Sequence, residues 1–139
     1  MAIEYELQRD GYLLVVKYSD PFDLGETSAF IDKIQEEIYV KATHRIHAIT
    51  DFTGVTRPPK GSFLSGLKIA RKAHPMAGYG IIVAKQPLIY ATLSTFNRIK
   101  TDLLGQKHNP YLLCRTLEEA FREADRLLAA EGVTVPASS

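Results

Sequence analysis

Asp51, Thr53, Gly54, Arg57, Lys60, Gly61, Ser62 and Ser65 bring a carboxylate, hydroxyls, two cations and small residues into one short stretch of the chain. Arg57 and Lys60 beside the free amides of a helix start can hold an anion such as phosphate. Ser62, at the same helix start, can carry a phosphoryl group, or it can cap the helix by accepting a backbone amide, worth about 1 kcal/mol. Asp51 would need a second polar group at a defined distance to act as an acid or base, and the sequence shows none. Its simpler role is to turn toward the loop amides or toward Arg57. Capping is the simpler reading of Ser62 as well.

Other familiar chemistries lack their spacing. His44 and His47 are three apart across a helix-to-strand turn, and His74 and His108 stand in other loops, so no metal-ligand pattern forms. All four are expected at the surface, and neither a metal nor a cofactor is expected. No Gly-x-Ser-x-Gly elbow occurs, and the glycines match neither the Gly-x-Gly-x-x-Gly turn nor the P-loop. Lys68, Arg71 and Lys72, with Arg98, Lys100 and Lys107, could make a basic patch, but aromatic residues do not interleave with them as single-strand binding requires. Nucleic acid is therefore not an expected partner. Met76, Tyr79, Leu88, Ile89 and Tyr90 are more apolar residues than one core must hold, and a partner or second subunit can cover the excess.

The elements that must position these residues follow from hydrophobic period. Ile3, Tyr5 and Leu7 alternate with polar residues, and Tyr12 to Tyr18 follows Arg9-Asp10-Gly11, which predicts a β-hairpin. Ser19-Asp20-Pro21 breaks the strand. Phe30, Ile34 and Ile38, joined by Ile31, then predict a helix near Glu26 to Lys41. Ile46 to Phe52 reads as a third strand, Ser62 to Ala73 as a helix, and Tyr79 to Ala84 as a buried strand. A helix opens at Pro87, with Ile89, Leu93, Phe96 and Leu103 on its buried face. Tyr111 to Cys114 is a fifth strand, and Thr116-Leu117-Glu118-Glu119 is a capping box before a helix bearing Leu117, Phe121, Ala124 and Leu128.

The order β-β-α-β-α-β-α-β-α predicts an α/β fold in which a mixed five-stranded sheet packs with about four helices. The 139 residues, 45% hydrophobic and 24% charged, suit one domain over residues 1–131 with a flexible tail over 132–139. The net charge of +1, from 17 basic and 16 acidic residues, gives no overall field for nucleic acid or an anionic membrane. No apolar run approaches the roughly 20 residues that span a bilayer. With the lone Cys114 expected in a buried strand and no leader segment, the chain reads as cytoplasmic.

In element order over about residues 3 to 130, and in the run Ala48-Ile49-Thr50-Asp51-Phe52-Thr53-Gly54-Val55, the chain resembles the STAS family of sulfate-transporter and anti-sigma-factor-antagonist domains. The resemblance implies a non-enzymatic regulatory module that binds a protein partner or a second copy of itself through the loop and helix after the third strand. In family members that act as switches, a kinase partner modifies a serine in an Asp-Ser-Ser-Gly type sequence. Here Lys60-Gly61-Ser62-Phe63-Leu64-Ser65-Gly66 stands in that place, with Ser62 the positional match and Ser65 a second. The preceding acidic residue is missing, and Arg57, Pro58 and Pro59 extend the loop. Two further readings stand beside the interaction module: a sensor of a small anion or apolar molecule at the same junction, and an enzyme using Asp51 with a residue brought in by folding.

Overall fold

The computed structural model of the protein describes residues 3–21, 23–57, 74–98 and 111–133. Strands Ile3–Gln8 (β1) and Leu13–Ser19 (β2) form the antiparallel hairpin that their alternation predicts. Its turn, Arg9–Gly11, holds Arg9 and Asp10 at φ values of 53° and 55°. Left-handed backbone costs a non-glycine residue roughly 1–2 kcal/mol. The Arg9 side chain offsets that cost, because it is buried with Nε 3.0 Å from Asp125 Oδ1 and the guanidinium over the Phe121 ring.

The first helix, α1, runs over Leu24–Ile34 and buries Leu24, Thr27, Phe30 and Ile34. It starts two residues before the predicted Glu26 because Asp23 caps it, accepting the Glu26 amide at 2.7 Å. It ends in a wider π turn over Gln35–Tyr39, closed by the Val40 amide on the Gln35 carbonyl at 2.9 Å. Ile46–Gly54 (β3) continues two residues past the predicted strand. Ala77–Val83 (β4) leads to helix α2 at Pro87–Arg98, and proline opens that helix without loss because a first-turn amide has no helical partner. Tyr111–Cys114 (β5) and helix α3 at Leu117–Ala130 complete the described elements.

The five strands lie in the order β1-β2-β3-β4-β5, with β1 antiparallel and the other four parallel, so the fold is α/β with a mixed sheet. Strands that advance in one direction with right-handed crossovers place their helices on one face. Phe30 and Ile34 of α1 and Ile89 of α2 accordingly share a core with Leu14, Val16, Phe52, Ile82 and Ala84. The opposite face carries Leu13, Ile49, Ile81, Val83 and Cys114 under Ala120, Ala124 and Leu127 of α3. The small Ala120 and Ala124 let α3 approach the sheet closely.

Three helices are described, and the predicted helix over Ser62 to Ala73 lies outside the described residues. So do Leu103 and the side chains of Leu93 and Phe96. Of the apolar residues that recur along α3, Ala124 and Leu128 are buried and Leu117 is exposed. No helix among the described residues is long and apolar enough to cross a membrane.

Candidate functional site

The parallel strands β2, β3, β4 and β5 all end at one edge of the sheet, and their exit loops make the site. Asp51, near the end of β3, is 5% exposed and turns back on its own strand end. Its Oδ1 accepts the Thr53 amide at 2.9 Å and the Thr53 hydroxyl at 2.7 Å, the local hydrogen bonding expected of a loop aspartate. Lys17 of β2 is its register partner, and residues paired across parallel strands share a face. Thr53 and Gly54 are exposed. A side chain at Gly54 would come within 3.0 Å of the Tyr18 carbonyl, so glycine allows the ends of β2 and β3 to lie close.

The brace of this edge is Asp20, which the sequence shows only as a strand breaker before Pro21. The Asp20-Pro21 peptide is cis. Asp20 Oδ2 accepts the Thr56 amide at 2.9 Å and its hydroxyl at 2.5 Å, joining the exit of β2 to the loop after β3. The Thr56 hydroxyl, then the Thr56 amide, hold the Asp20 carboxyl below its ordinary range, and the Arg57 amide and charge act in the same direction. Val55 is buried beneath, its amide on the Phe52 carbonyl at 2.9 Å, while Thr56 and Arg57 face solvent. Of the predicted site residues, the structure thus places Asp51, Thr53 and Gly54 at the end of β3 and Arg57 in the loop that follows. Lys60, Gly61, Ser62 and Ser65 lie outside the described residues.

The exits of β4 and β5 extend this edge. The Ala84 amide donates to the Cys114 carbonyl at 3.0 Å, which sets the following residues, Lys85 and Arg115, at neighbouring strand ends. Both are exposed, and the Arg115 guanidinium stands 4.1 Å from the centroid of the Tyr90 ring. The capping box of α3 is present in shifted form: Thr116 Oγ1 accepts the Glu119 amide at 3.1 Å, while Glu119 reaches the Arg115 amide and not that of Thr116. Of the five apolar residues expected in excess, Ile89 is buried, Met76, Tyr79 and Tyr90 are half-buried, and Leu88 alone is exposed, at 61%.

The opposite edge corrects the expectation of surface histidines. His47 is fully buried, with Nε2 2.7 Å from Glu131 Oε1 and Nδ1 accepting the Tyr79 amide at 2.9 Å. Because Nδ1 faces a donor, the ring proton sits on Nε2. Strand alternation shows that His47 shares a face with Ile49, yet nothing local shows that Glu131 returns to cover it. His44 stacks on Tyr12 with ring centroids 3.8 Å apart, and His74 on Tyr39 at 5.6 Å. Among the described residues, no group of three histidine, cysteine or acidic side chains is placed to hold a metal ion. Cys114 is buried as expected, and burial first, then Glu119 and Glu123, push its thiol up.

Comparison with known proteins speaks to the fold. No protein-family profile matches the chain, and no curated protein does. The NMR structure of the protein TM1081 is similar, with a TM-score of 0.60 over 91% of this chain and 90% of that one, at 15% sequence identity. At that identity the likeness is one of architecture.

Proposed function

We propose that this chain is a non-enzymatic, STAS-like regulatory module that binds a protein partner through the loop and helix after β3. The observation that carries the reading is how the carboxylates at the exits of β2 and β3 are used. Asp51 holds Thr53, and Asp20 holds Thr56, so each acid shapes a loop whose exposed residues, Thr53, Gly54, Thr56 and Arg57, form a preorganised surface. A surface fixed before contact loses little conformational entropy on binding, which favours recognition. Both acids are thus occupied by neighbouring donors in shaping the backbone.

The test is affinity capture with the full chain, followed by a binding titration of the recovered partner. Arg57→Glu is expected to weaken that binding at least tenfold. Equal binding by the variant would remove this loop from the interface. Intact mass of the chain from its native cells reads the phosphorylation state of Ser62 and Ser65 in the same preparation. The alternative of an anion sensor rests on exposed Arg57 at the loop and predicts measurable heat on titration with inorganic phosphate, lost in Arg57→Glu.

A further inference from the structure

We infer that His47 is a proton-operated pin: its neutral ring holds a bulge of β4 and the end of α3 together, and a second proton on the ring releases them. The register of β3 on β4 shifts between Ile46 and Ala48, whose partners are Ala77 and Gly80, so His47 alone stands opposite two residues, Gly78 and Tyr79. A bulge leaves its extra residue unpaired in the ladder. Here the Tyr79 amide is taken by a side chain, His47 Nδ1 at 2.9 Å, while Nε2 meets Glu131 Oε1 at 2.7 Å. Only the neutral ring does both, accepting at one nitrogen and donating at the other.

A second proton has one place to go, Nδ1, and there it sets a donor against the Tyr79 amide. The two sides of the ring answer that proton in opposite ways. Glu131 and the carbonyl end of α3 favour an imidazolium, whereas the Tyr79 amide opposes one. Movement resolves the conflict. Gly78 closes the ring on the β4 side, so the ring leaves the amide by displacing the end of α3 that Glu131 ties down. The other charged groups around the ring have partners of their own. On α3, Arg126 lies near the Tyr79 phenol and pairs with Glu123. Arg9 of the hairpin turn is engaged by Asp125, Arg45 of the approach to β3 donates to the Ala77 carbonyl, and His44 stacks on Tyr12. From β2 the ring meets aliphatic Leu13. Histidine is the side chain that takes up a proton at roughly pH 5–8, where carboxylates such as Glu131 keep their charge.

The experiment follows the isotopically labelled full chain by NMR from about pH 8 to about pH 5, reading the ring nitrogens of His47 and the exchange protection of backbone amides. At the upper end Nδ1 is expected to be an unprotonated nitrogen that accepts a hydrogen bond. As the ring gains its second proton, protection of the Tyr79 amide is expected to fall at least tenfold and that of Glu131 to fall with it, while Ile49 and Ile81 keep theirs. His47→Gln, which does not titrate, is expected to hold Tyr79 protection level across the range. Glu131→Gln, which keeps an acceptor oxygen without the charge, is expected to move the fall to lower pH. The ring nitrogens of the unaltered chain decide the matter even where a variant fails to fold. A proton on Nδ1 at the upper end, a titrating ring with unchanged Tyr79 protection, or a ring that gains its second proton only as Ile49 and Ile81 also lose protection would each overturn the proposal.

Discussion

His47 and Gly78 share a contact with no space for a side chain at position 78. A side chain at Gly78 would place Cβ 2.2 Å from His47 Nδ1, and the buried ring is held at both nitrogens and has no room to retreat. Gly78→Ala should lower stability by about 1–3 kcal/mol, the cost of overpacking a filled site. Urea unfolding measures it, and adding His47→Ala should recover part of the loss, since the two changes meet at one contact. At the other edge, Asp20 makes stability depend on acid. Its folded carboxyl sits below the ordinary value of 3.8, so its contribution is complete above that value and is lost as pH falls through the lower folded one. Asp20→Asn should remove that part of the acid limb of a stability curve and speed hydrogen exchange at the Thr56 amide. Asp20 and His47 were opaque in the sequence for one reason: their partners, Thr56 and Glu131, stand 36 and 84 residues away. Asp51 was legible because its partner Thr53 is two residues on.

At the scale of elements, what could be read was what is local. The hairpin, the strand at Tyr111–Cys114 and the cap at Thr116 depend on residues within a few positions, and each stands where alternation and capping chemistry predict it. Asp23 belongs to the same chemistry, since it accepts the Glu26 amide three residues on and so starts α1 at Leu24. The two caps make a paired prediction. Asp23→Ala and Thr116→Ala should each cost about 1 kcal/mol. Their effects should add in thermal or urea unfolding, because the caps serve helices on opposite faces of the sheet. A sum well short of additive would mean that the two faces unfold in separate steps.

For the whole molecule, the sheet has two cores of different origin. Helices from the crossovers close one face, while among the described elements α3 alone closes the other. Arg9 on Asp125 and His47 on Glu131 tie α3 at its middle and at its end to the hairpin turn and to β3. Cys114 reports on that closure, as its thiol is buried and pushed up, and only the thiolate reacts. Labelling by a thiol reagent should be slow in the native protein and accelerate with denaturant in step with loss of α3. Rapid native labelling would show that α3 lifts without global unfolding. The outer edge at β1 is guarded differently: Glu4 and Glu6 stand on one face of an edge strand, and two copies paired there would set carboxylates against each other.

The position of α3 in the chain also has a consequence for biosynthesis. Leu13, Ile49 and Ile81 leave the ribosome long before residues 117–130, which cover them. Until those residues emerge, the nascent chain can close only the face served by its crossover helices. A ribosome paused before Leu117 would hold a half-finished sheet with one greasy side turned to water or to a chaperone, and synthesis of a single helix would end that exposure.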